Sequence, residues 1–80
     1  MTEEKQKRIK ELEAMMDVII RAIPKEKEAN RLYAHAAQKT ENGHLKGLLE
    51  HLAGEEIEHE KKLMRMLKYL KKELKALRED

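Results

Sequence analysis

The feature that most constrains this chain is one strong break, Thr40-Glu41-Asn42-Gly43, near the middle of an otherwise helix-forming sequence. Asn-Gly supplies the left-handed conformation that ends a helix and turns the chain. A short turn between two helices makes an antiparallel hairpin. A weaker break stands at Ile23-Pro24, because proline lacks a backbone N–H and disfavours helix in the residue before it, yet is at ease in a helix's first turn. The pattern predicts helices over about residues 3–22, 24–39 and 44–77, with a kink or short interruption near Pro24, in a single domain spanning residues 1–80.

Composition agrees with an all-α chain. Charged residues make up 42% and aromatics 2%, the mixture of long helices rather than of a sheet. With 80 residues, a lone monomer buries only roughly 60% of the surface its unfolded chain exposes. The absence of cysteine removes disulfides and thiolate metal sites as a remedy, so any bound metal must use oxygen and nitrogen ligands. The 18 basic and 16 acidic residues are mixed along the chain, which argues against a nucleic-acid partner. The stripe Lys61, Arg65, Lys68, Lys72 and Lys75, interleaved with glutamates, reads as a solvated face. No apolar run approaches the ~20 residues of a membrane span, and the N-terminus lacks a signal-peptide core, so the expected location is the cytoplasm.

The apolar residues recur in steps of three and four. In the first half the stripe runs Ile9, Leu12, Met16, Ile19 and Ile23, then Glu26, Asn30, Tyr33 and Ala37. In the second half it is read as Leu45, Leu49, Leu52, then Glu56 and His59, then Leu63, Met66, Leu70, Leu74 and Leu77. Ionisable residues thus fall where burial is expected. Leu48, Ala53, Ile57, Met64 and Leu67 widen the second stripe beyond what one neighbouring helix covers. The reading is therefore a hairpin that pairs with another copy into a four-helix bundle, as a homodimer or a higher homo-oligomer.

Glu56-x-x-His59 projects a carboxylate and an imidazole from one helix face toward a common point. A buried glutamate without a partner is costly, and two facing each other mid-seam are a defect that a divalent cation removes. Glu26, Glu56 and His59 are accordingly the candidate metal ligands, a set that suits iron, manganese or zinc. Tyr33, two turns beyond Glu26, is read as a hydrogen-bond donor to a ligand carboxylate. One hairpin supplies half of a di-metal ligand set, and two related by a two-fold axis supply all of it.

The stretch Glu26-Lys27-Glu28-Ala29-Asn30-Arg31-Leu32-Tyr33, followed by Leu48-Leu49-Glu50-His51 and Glu55-Glu56-Ile57-Glu58-His59, resembles the ferritin-like superfamily. Within it, the sequence is most similar to the short two-helix encapsulated ferritins over about residues 20–70. The resemblance implies a ferritin-like bundle that oxidises Fe(II) to Fe(III) at a di-iron centre between subunits, for iron storage or detoxification. It also implies Glu26, Glu56, His59 and Tyr33 as the catalytic set, and Glu28 and His51 as ancillary metal residues. An encapsulin-type shell, and with it a place inside a protein nanocompartment, follows from the same likeness. Such proteins usually carry the shell-targeting peptide in a C-terminal extension, whereas this sequence reads Leu77-Arg78-Glu79-Asp80 at its end, which weighs against the shell. Rubrerythrins share the Glu…Tyr and Glu-x-x-His logic, typically with both halves in one chain and a cysteine-bound iron besides. The alternatives to a ferroxidase are a non-catalytic hairpin module that binds metal or only assembles and, less favoured, a di-metal peroxidase or hydroxylase.

Overall fold

A computed structural model describes residues 2–79, and among them there are two helices and no strand. Helix α1 spans Glu3–Lys39 and helix α2 spans Gly43–Glu79, joined by Thr40–Asn42 into an antiparallel hairpin. Thr2 caps α1, its hydroxyl accepting from the Lys5 N–H at 3.2 Å, and Glu3 and Glu4 in the first turn complement the helix dipole. Lys39 and Arg78 serve the two C-terminal ends in the same way.

The hairpin turns without a left-handed residue, since no described residue has a positive φ. Thr40 instead leaves α1 in an extended conformation, φ −80° and ψ 139°, while its N–H still donates to the Ala36 carbonyl. Asn42 then caps α2: its Oδ1 accepts from the Leu45 N–H at 3.0 Å and its carbonyl accepts from the Lys46 N–H at 2.9 Å. The pair read as a stop signal acts as a start signal. Asparagine's short side chain serves as well for an N-cap as for a left-handed turn.

The interruption expected at Pro24 is absent, for α1 runs unbroken through it. Pro24 and Ile20, whose carbonyl loses its helical partner, both lie exposed, so water can satisfy the freed acceptor. A long packed seam on either side outweighs the roughly 3 kcal/mol that proline costs a helix interior.

The seam on α1 is the expected one: Ile9, Leu12, Met16, Ile19, Ile23, Glu26, Asn30, Tyr33 and Ala37 are all buried or half-buried. On α2 the seam is shifted. It runs Leu49, Ala53, Glu56, Glu60, Leu63, Leu67, Leu70, Leu74 and Leu77, still in steps of three and four. Leu45, Leu52 and Met66, together with His59, form a neighbouring exposed stripe. The leucines of two adjacent stripes had merged into one.

Burial is thin. Ile9, Ile19, Ala37, Ala53, Leu70 and Leu74 form the core, and no large side chain is fully enclosed. The radius of gyration is 18.2 Å, against about 12 Å for a compact chain of this length. Three polar links tie the helices across one side: Asn30 to the Ala53 carbonyl, Lys27 to Glu60 and Arg78 to Glu13. On the opposite side the helices present apolar stripes in steps of three and four, with Met15, Val18, Ala22, Ala29 and Leu32 on α1 and Leu45, Leu48, Leu52, Met66 and Tyr69 on α2. Each stripe lies to the same rotational side of its seam, and because the helices are antiparallel the two share one face.

Gly47 and Gly54 lie away from both seams, and a methyl group at either meets nothing within 4 Å. Gly47→Ala and Gly54→Ala should therefore each raise unfolding free energy by about 0.5–1 kcal/mol in urea titrations. A decrease would mean that another surface packs on that side.

Candidate metal centre

The hairpin brings together the three ligands read from the sequence. Glu26 comes from the α1 seam, Glu56 from the α2 seam, and His59 from the next turn of α2. Each offers a ligand atom, and these atoms all lie within 4.8 Å of one another. His59 Nδ1 stands 3.6 Å from Glu26 Oε2 and 3.8 Å from Glu56 Oε2, too far for hydrogen bonds. Two atoms each bonded to one cation at about 2.1 Å stand about 3–4 Å apart, so the spacing suits a shared ion.

Burial within the site is graded. Side-chain exposure is 18% for Glu56, 25% for Glu26 and 48% for His59. His59 therefore lies on the open apolar face rather than in the seam where it was expected. Its position three residues after Glu56 rotates it about 60° away from that seam. Glu26 Oε2 is buried and has no hydrogen-bond partner. Neither Lys25 nor Lys62 pairs with Glu26 or Glu56, so no lysine neutralises the site. An unpartnered buried carboxylate oxygen beside a second carboxylate and an imidazole is a donor set that suits a divalent cation.

Tyr33 does not serve this site within one chain. It is half-buried on the α1 seam, and its hydroxyl bonds to none of the three ligands. The reason is axial distance: seven residues advance about 10 Å along a helix, beyond a tyrosine's reach. Sharing a face is not sharing a level. Glu28 is exposed on the outer side of α1, away from the ligands. His51 is exposed beside an open groove that also includes His59, and its Nε2 pairs with Glu55 Oε1 at 3.1 Å. Asn30, which the sequence reading left as a polar seam residue without a role, donates from Nδ2 to the Ala53 carbonyl at 2.8 Å, one turn from the ligands.

A carboxylate–carboxylate–imidazole cluster across two antiparallel helices, with Glu-x-x-His on one of them, is half of the ligand pattern of ferritin-like di-iron bundles. The model of the rubrerythrin family matches residues 17–80, and the chain belongs to that family. It is thus a ferritin-like domain of an iron-binding family, as the motif implied. Neither curated proteins nor solved structures gave a match. No helix among the described residues is long and apolar enough to cross a membrane.

Proposed function

We propose that two copies of this chain pair through the apolar face and oxidise Fe(II) to Fe(III) at a di-iron centre lying between them. The observation that carries this reading is the convergence of Glu26 and Glu56 from the seam with His59 at the edge of that face, with Glu26 Oε2 buried and unpartnered. A single hairpin holds one imidazole and two carboxylates, half of the set that ferritin-like di-iron bundles use. A second copy related by a two-fold axis brings the other half.

The site's surroundings support the same reading. His59, Lys25, Glu55 and Lys62 form a polar band across the face, with Leu32, Leu48 and Leu52 on one side and Val18, Met66 and Tyr69 on the other. Large apolar side chains gathered on one exposed face mark an interaction surface. In the pair, Glu56, the least exposed of the three, would hold both ions together with its counterpart, while Glu26 and His59 would hold one ion each. The flanking leucines and methionine exclude bulk water, which strengthens the carboxylates' hold on the cations. Two Fe(II) substrates give up one electron each, and O2 takes both with two protons as hydrogen peroxide, or peroxide takes them as water. Iron storage or detoxification is the corresponding role, in a homodimer, in a larger ring of dimers, or as the cargo of an encapsulin-type shell.

The test is an aerobic Fe(II) titration followed by ferric absorbance. Rapid oxidation saturating near about two Fe(II) per pair of chains supports the proposal. Oxidation no faster than in protein-free buffer contradicts it, and leaves a hairpin that only assembles.

A further inference from the structure

We infer that Asn30 is the positioning residue of the metal centre, fixing the rotation of α2 against α1 so that Glu56 and His59 meet Glu26. The inference rests on the metal-site reading above. Asn30 occupies a seam position among Ile23, Glu26, Tyr33 and Ala37, where an apolar side chain would contribute more burial. Its Nδ2 donates to the Ala53 carbonyl at 2.8 Å in a part-buried setting. The bond runs from a side chain of one helix to the backbone of the other.

A tie to backbone constrains more than a contact between side chains. Two side chains can follow one another through rotamers, whereas a carbonyl moves only with its helix. The Thr40–Asn42 connection sets how far the helices slide, but it lies ten residues from Asn30 and eleven from Ala53, about 15 Å along each helix. It leaves rotation loosely held at the site.

Rotation is what the ligands are sensitive to. Glu26 is one turn before Asn30, and Glu56 is one turn after Ala53, so the tie and the site are adjacent rungs. Turning α2 by about 20° moves a side-chain tip at a radius of about 5–6 Å by about 2 Å. Ligand distances tolerate only about 0.2 Å. Ala53 is 8% exposed, and its small side chain lets Asn30 reach across. A polar seam residue that specifies geometry at the expense of burial has precedents in helical coils.

The test uses the intact chain, Co(II) as the probe, and two variants, Asn30→Leu and Asn30→Ala, each checked for helicity and thermal unfolding without metal. Leucine at a seam position should hold or raise the melting temperature, while Co(II) affinity falls about 10-fold or more and the visible Co(II) spectrum changes. Alanine provides the same readout if leucine is too large. Glu56→Ala is the control that must lose Co(II) binding. A folded Asn30 variant with wild-type affinity and spectrum overturns the inference and leaves the site standing. Failure of the wild-type chain to bind Co(II) at all instead overturns the metal-site reading beneath it.

Discussion

Glu56→Ala is expected to abolish iron oxidation and to lower divalent-metal affinity by at least ~100-fold, while the hairpin stays helical. Glu56 is the most enclosed of the three ligands and, as the proposed bridge, serves both ions. Its loss removes a carboxylate from each, and a metal site built from so few protein groups cannot hold its geometry without it. Stability should move the other way. In the metal-free protein Glu26 and Glu56 converge without a lysine partner, so removing one relieves repulsion and desolvation. Equilibrium titration with Co(II) and thermal unfolding without metal check the two halves separately. Unaltered oxidation kinetics in this variant would remove Glu56 from the centre.

The second large effect concerns pairing. The double variant Leu45→Glu, Tyr69→Glu places charge near each end of the exposed apolar face, at positions 49% and 61% exposed in the single hairpin. These residues stand about 21 and 15 Å along the helix from His59, so neither can disturb the ligands directly. Each lies outside the α1–α2 seam, and helicity should be retained. Burying the new carboxylates against a second copy is strongly unfavourable, and association should weaken by at least ~100-fold, in the range of an interface hot spot. Sedimentation should then show monomers, and iron oxidation should fall to the protein-free rate. Monomers that oxidise iron at full speed would show that one hairpin suffices.

Much of this was legible in the sequence, and the misreadings have physical causes. The α1 seam could be read completely because its polar interruptions, Glu26 and Asn30, still hold the three-and-four rhythm. On α2 the seam passes through the small Ala53 and the charged Glu60, while Leu45, Leu52 and Met66 lie on the neighbouring stripe. A helix with two apolar faces cannot tell from periodicity which of them its own chain covers. That ambiguity misplaced His59 into the seam, although the three candidate residues still come together, since residues three apart converge on one point from either stripe.

Pro24 shows a different limit. Local propensity foresaw an interruption, but the tertiary seam overrides it where the proline ring faces water. Tyr33 shares the face of the candidate ligands, but within one hairpin the axial rise separates it from them. Asn30 carried no signal of its own in the sequence, for an asparagine in a seam becomes meaningful only when the acceptor opposite is known.

The central claim is that the metal centre belongs to the interface between two copies. Its most direct test is an anomalous-scattering map from crystals grown with Fe(II) or Mn(II). The account predicts two peaks on a two-fold axis relating two hairpins, each peak touching Glu26, Glu56 and His59, with Glu56 side chains of both chains between them. A single peak confined to one hairpin, or a pair of chains joined elsewhere with the three ligands open to solvent, would contradict it.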